Sequence, residues 1–306
     1  MKTRTLVSTL ALSAAAAVTL ALAGCSTGSA GASGGRTSDT LSVVASTNVY
    51  GDIGQSIAGD AVTVTSIMSD PAQDPHSFEA SAQSQLAISK ADIVIENGGG
   101  YDDFMDTMLA SSKSKATVLN AVDISGKKAV DGQLNEHVWY DFPTMQKLTD
   151  RLVSALTEAD PAQATTFAKN GQAFAAELTA LEARTAELKK THAGEGAAIT
   201  EPVPLYLLEA IGLVDKTPAA FSEAIEAGTD VSPAVLKKTV DLFDSKAVKL
   251  LAYNEQTSGP ETERVLSAAK KAGVAIVPVT ETLPSGKDYD SWMTGNIDAV
   301  AKALGA

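Results

Sequence analysis

The stretch Asp92-Ile93-Val94-Ile95-Glu96-Asn97-Gly98-Gly99-Gly100 decides the architecture. Three consecutive β-branched residues between polar ends read as a short strand buried on both faces, because a strand with one wet face would alternate. A glycine triplet closes it. Phe104, Met105, Met108 and Leu109 then recur at helical spacing over 101–111. Strand, tight turn and helix make one β/α unit. The triplet is not a nucleotide loop, since it lacks the GxGxxG spacing and no lysine follows at the P-loop position.

Working outward, the same unit recurs. Towards the N-terminus the pattern predicts a strand at 41–47, a helix from Asn48 to about 58, a strand at 61–68 and a helix over 81–90. A short strand at 117–119 and a helix over 143–159 follow the glycine triplet. In the second half, strands are predicted at 197–200, 248–253 and 274–279. Helices open at Glu201-Pro202 and Ser232-Pro233, then run over 260–272 and 289–304. Such alternation argues for parallel sheets covered on both faces. Between the halves, Asp160-Pro161 is an N-cap followed by proline at the first helical position. Phe167, Phe174, Leu178, Leu181 and Leu188 continue at helical steps to about residue 190, or roughly 45 Å. The expected fold is α/β: two β/α lobes with parallel-type sheets joined by one long spine helix. The boundaries are 41–159 for the N-terminal lobe, 160–191 for the spine helix and 192–306 for the C-terminal lobe.

The first 40 residues have another character. Lys2 and Arg4 form a basic start, residues 6–23 are apolar or small, and Leu22-Ala23-Gly24-Cys25 follows. This is signal-peptide architecture. Cys25 is the only cysteine and so has no internal disulfide partner. Its setting resembles a bacterial lipobox, which implies lipidation of the Cys25 thiol and removal of residues 1–24. Residues 25–40, rich in Ser, Gly, Ala and Thr, suit a flexible tether. The expected location is extracytoplasmic, with the body lipid-anchored to the outer face of the cytoplasmic membrane.

About 265 residues follow the tether, enough for one large domain or two ordinary lobes. The net charge is −13, with no basic patch, which argues against a nucleic-acid partner. A monomer is expected. The chain has 44% hydrophobic residues, sufficient for a core.

Two of the three histidines sit in matching contexts: Asp74-Pro75-His76-Ser77-Phe78-Glu79 and Asn135-Glu136-His137-Val138-Trp139-Tyr140-Asp141. Each lies among acids with an aromatic residue two positions later. Neutral imidazole is the commonest protein ligand for a transition metal, and carboxylates can complete such a site. His76 directly follows a predicted strand, where ligands of parallel sheets bind. Glu201, Glu255 and Glu281 stand in the same relation to strands of the second half, with Asp288 close behind; position alone does not choose between them. His192, in a polar turn, reads as a solvent-facing residue at a helix end.

These motifs resemble the cluster A-I substrate-binding proteins of metal-ion ABC transporters, which include zinc- and manganese-uptake lipoproteins. The resemblance rests on Asp74-Pro75-His76, the run Ala91 to Gly98, and His137-Val138-Trp139-Tyr140-Asp141, and it extends over 41–306. It implies two β/α lobes on one rigid helix, a divalent metal ion (Mn2+ or Zn2+) as the transported ligand, and a membrane permease as partner. Carried over by position, the metal ligands are His76, His137, Glu201 and Glu281. Many zinc-binding members have a third histidine where Glu201 stands, whereas manganese-binding members have a glutamate. The fourth ligand is usually aspartate, so Glu281 is a departure, with Asp288 as reserve. The segment 126–134 also lacks the histidine-rich loop frequent in zinc-specific members. Glu201 tilts the reading towards manganese. Two imidazoles and two carboxylates suit Mn(II), Fe(II) or Zn(II). The competing readings are a lipoprotein for a metal chelate, such as a siderophore or cobalamin, and a metal-dependent hydrolase. Neither HExxH nor GxSxG occurs, so the protein is not expected to be an enzyme.

Overall fold

The computed structural model describes residues 40–70, 78, 81–129 and 132–306. Cys25, His76 and the signal and tether segments lie outside the described residues. The first half contains β1 (Leu41–Thr47), α1 (Asn48–Ala58), β2 (Val62–Met68), α2 (Ala82–Lys90), β3 (Ile93–Glu96), α3 (Asp103–Ser112), β4 (Thr117–Asn120), α4 (Ala121–Ser125) and α5 (Phe142–Ala159). After α6 (Ala164–His192), the second half contains β5 (Gly196–Ile199), α7 (Leu205–Ile211), β6 (Val214–Asp215), α8 (Ala219–Glu226), α9 (Pro233–Asp244), β7 (Leu250–Asn254), α10 (Pro260–Ala272), β8 (Ala275–Val279) and α11 (Tyr289–Leu304).

The strands form two four-stranded sheets with the same topology, β2-β1-β3-β4 and β6-β5-β7-β8. Every pairing is parallel. The two-residue side-chain period divides each strand between two cores. Val43, Ala45, Ile93 and Ile95 face the large central core, while Val44 and Val94 meet Ile88, Met105 and Met108 on the opposite face. In the second sheet Ala197, Ile199, Leu250, Ala252, Val277 and Val279 join the same central core. Ala198, Leu251 and Tyr253 turn to Phe221, Phe243, Val265 and Ala269. One continuous apolar core is therefore shared by both sheets.

The sequence-derived spine is α6, preceded by a 3₁₀ turn at Pro161–Gln163 that Asp160 caps. Its 29 residues span about 44 Å. It packs against α1 and α5 of the first half and α7 and α11 of the second. Phe167, Phe174, Leu178 and Leu181 form its buried stripe. Gly171 lets α5 come close, because a Cβ there would lie 2.4 Å from Val153 Cγ2.

The glycine triplet serves as the predicted strand-to-helix turn. Gly98, Gly99 and Gly100 have φ of 76°, 70° and 97°, a region L side chains avoid. A Cβ on Gly98 would also meet Asn120 Nδ2 at 2.2 Å. The helix expected at Glu201-Pro202 begins instead at Leu205. Glu201 and Val203 each precede a proline, which biases them away from helical backbone, so the helix waits for the second proline. Among the described residues, no helix is long and apolar enough to cross a membrane.

Candidate metal centre

In both sheets the strand order reverses between the two central strands, β1/β3 and β5/β7. Ligands of open parallel sheets bind beyond the carboxyl ends at such a switch point. Glu201 lies two residues beyond β5, and Glu281 two residues beyond β8; both are buried. Between them stands Asn254, the last residue of β7. Its Nδ2 donates to Glu201 Oε2 at 2.5 Å and to Glu281 Oε1 at 2.8 Å. One side-chain amide thus holds the two carboxylates to each other.

Asn254 is itself fixed. Its backbone N–H donates to Thr200 Oγ1 at 2.9 Å, and its Oδ1 accepts from the Gln256 N–H at 3.1 Å. Gln256 Oε1 accepts from the backbone N–H of Glu281 at 2.5 Å, and its Nε2 donates to Thr282 Oγ1 at 2.9 Å. The loops after β7 and β8 are therefore tied together around the acids.

His137 comes from the other half. It is fully buried, ahead of a 3₁₀ turn at Val138–Tyr140. The segment is fastened to the end of β3 through Asn97, whose Nδ2 donates to the Glu136 carbonyl at 3.0 Å while its Oδ1 accepts from Tyr50 at 2.5 Å. His137 Nδ1 lies 2.8 Å from Asn135 Oδ1. An amide oxygen only accepts, so Nδ1 carries a proton, which leaves Nε2 as the nitrogen available to a metal. The edge of the ring meets Trp139, with centroids 5.0 Å apart, and Tyr101 at 5.8 Å.

His137 Nε2 points at Glu226, the last residue of α8, with Oε1 3.5 Å away. One donor atom from each of Glu136, His137 and Glu226 lies within 4.8 Å of the others. Glu226 also connects this group to the acid pair. Burial, then the charges of Glu226 and Glu281, push the Glu201 carboxyl up to about 8. Burial also raises the Tyr101 phenol well above its usual range, and the charges of Glu281 and Glu226 add to the shift. Gathered carboxylates with this little solvent demand a cation or a proton.

Of the four expected ligands, His137, Glu201 and Glu281 are buried. Asn254 joins the two acids, and Glu226 both meets His137 Nε2 and acts by its charge on Glu201, while His76 lies outside the described residues. Asp288, the reserve ligand, is committed elsewhere: it caps α11, with Oδ1 accepting from the Ser291 N–H at 2.8 Å. His192 is not solvent-facing as expected. It is the last residue of α6, 14% exposed, with Nδ1 3.1 Å from Glu195 Oε2. Glu255, also left open by position, is exposed. The sequence reading missed Asn254 and Glu226. A polar residue ending a buried strand next to Glu255 could have flagged the first.

A family described as zinc-uptake complex component A, periplasmic, matches residues 43–303. The manganese-binding lipoprotein MntA of Bacillus subtilis is 25% identical over 94% of this chain and 96% of its own. The iron-binding protein YfeA of Yersinia pestis is 24% identical over 88% of each chain. Among solved structures, the periplasmic zinc-binding protein TroA of Treponema pallidum superposes with a TM-score of 0.72. That match covers 87% of this chain and 99% of the other at 18% identity, and is a likeness of fold.

Proposed function

This chain belongs to the zinc-uptake complex component A family, and on that premise we propose that it captures one divalent transition-metal ion for an ABC importer. The ion is cargo, held long enough to be handed to a membrane permease. His137, Glu201 and Glu281 are the proposed ligands from the described residues, with His76 as the second imidazole. Relatives named for manganese, iron and zinc support the class of cargo. The observation that carries the reading is the Asn254 amide between Glu201 and Glu281. It holds two buried carboxylates side by side, where a dication would neutralise both.

The chemistry is that of capture. With Nδ1 held on Asn135 Oδ1, His137 presents Nε2 to the ion. Glu201 must lose its proton, so binding releases one wherever that group is protonated. Asn254 and Gln256 hold the acids in place before the ion arrives, which reduces the ordering cost of binding. Lipidation at Cys25, a monomeric state and an extracytoplasmic location complete the proposal. They are supported by the lipobox-like Leu22-Ala23-Gly24-Cys25 and by relatives named as lipoproteins.

The test uses protein lacking residues 1–25, stripped of metal, offered equal Mn(II), Fe(II) and Zn(II), dialysed and assayed by elemental mass spectrometry. One retained equivalent is expected, and it should be lost in His137→Ala. No retained metal would overturn the reading and move a chelate ligand to first place.

A further inference from the structure

Glu226 stands apart from the ligand set that sequence position supplies. It is carried by α8, an element following neither a histidine motif nor the carboxyl end of a central strand. Three observations converge on it. First, its Oε1 lies 3.5 Å from His137 Nε2, the nitrogen that the Asn135 contact leaves available to a metal. Two donor atoms that each sit about 2.0–2.2 Å from one ion are about 3.0–3.6 Å apart, so the pair is spaced as neighbours around a single cation.

Second, Glu226 is the last residue of α8. The helix dipole places negative potential at that end, where acids are disfavoured and cations favoured. A glutamate held there, only 16% exposed and beside other acids, is a poor choice for stability and a good one for holding a cation. Third, Glu226 lines a cavity of about 630 Å³ between the halves, along with Glu136, Glu223, Pro202 and Leu205. It therefore stands between open space and the buried acids.

We infer that Glu226 is a further ligand of the bound cation, supplying a third carboxylate from the cavity side. The inference rests on the metal-capture reading above and deepens it by naming the kind of ion preferred. Three carboxylates with imidazole nitrogen make a harder, higher-coordinate donor set. It suits Mn(II) or Fe(II), whereas Zn(II) is satisfied by four ligands in a tetrahedron. No proton or electron changes hands in this step: a carboxylate oxygen replaces one water of the ion.

The experiment compares wild type, Glu226→Gln, Glu226→Asp and Glu223→Gln. Glu223 lines the same cavity from the same helix, so its variant removes an equal charge without touching the proposed ligand. Affinities for Mn(II) and Zn(II) are measured by calorimetry, and the visible absorption of the Co(II)-loaded proteins reports coordination number. Glu226→Gln is expected to weaken Mn(II) at least tenfold and Zn(II) less, and to strengthen the Co(II) bands as coordination number falls. Glu226→Asp should fall between, and Glu223→Gln should stay within twofold of wild type. The melting temperature of metal-free Glu226→Gln should equal or exceed that of wild type, since an unfavourable charge is gone. Unchanged Mn(II) affinity in Glu226→Gln, or equal losses in Glu226→Gln and Glu223→Gln, would overturn the inference while leaving metal capture intact. Wild-type protein that retains no metal would overturn both.

Discussion

Tyr140 donates its phenolic hydrogen to the carbonyl of Thr280 at 2.8 Å, joining residues 140 positions apart. One partner lies three residues after His137 and the other directly precedes Glu281. The bond ties the segment that carries His137 to the loop that carries Glu281. A second bond, from Tyr289 to the Trp139 carbonyl at 2.5 Å, repeats the arrangement one residue earlier.

Tyr140→Phe keeps the ring and removes only the bond. The buried Tyr140 hydroxyl also accepts from Asn296 Nδ2 at 3.3 Å, so two polar partners are orphaned. The expected loss is about 1–3 kcal/mol of stability, read by urea denaturation of the metal-free protein. Metal affinity should fall with it. A variant of unchanged stability and affinity would show that this link does not set the site.

Asn254→Ala removes the amide that bridges Glu201 and Glu281. The two acids would then lose the donor between them and their preset spacing. Loss of a partner that orients metal ligands costs about 10- to 100-fold in affinity, and calorimetric titration should show a loss of that size. Asn254→Asp is expected to be worse in the metal-free state, because it adds a charge where the amide donated two hydrogens.

The raised Glu201 carboxyl predicts an unusual pH dependence. Its folded value of about 8 exceeds the ordinary 4.5, so between those values the metal-free native state binds more protons than the unfolded chain. Stability then falls as pH rises through that window. Metal binding has the opposite trend and tightens as the proton leaves. Chemical denaturation from pH 5 to 8 should show that fall without metal, and saturating metal, which keeps Glu201 ionised in the native state, should cancel it. Glu201→Gln should flatten the metal-free slope; an equally steep one would place its origin in another group.

Bound metal should raise the melting temperature, and chelator should reverse the rise. At a hundredfold excess over Kd the gain is about 2.7 kcal/mol. His137→Ala should abolish the shift, since it removes a fully buried donor. A melting temperature unaffected by every divalent metal tried would count against metal capture altogether.

Much of this arrangement was legible in the sequence because its signals are local. The helices Pro260–Ala272 and Tyr289–Leu304 fall where expected. The first opens on proline and ends at Gly273, and the second carries an Asp288–Ser291 capping box. Glu201 and Glu281 were among four acids marked by their places near strand ends, and only the family resemblance separated them from Glu255 and Asp288. β6 and α8 went unread for physical reasons. β6 has two residues, too few to show a period, and α8 buries one large side chain, Phe221. Glu226 was hidden with its helix. Asn254 escaped because its importance lies in what its side chain bridges, and the acids it joins are 80 residues apart in sequence. Asp288 misled for the converse reason: an acid near a strand end also serves as an N-cap, and capping claimed it.

The core that runs unbroken from one sheet to the other, with α6 laid across both, makes the body a clamp with no spring. A mouth that swings widely could empty itself by opening. The proposed ion site lies where the two jaws are already fused, which would leave thermal motion little leverage on its cargo. On the proposed reading, unloading is work done from outside: the partner permease, and not the carrier's own motion, would have to open the loops after β5 and β8.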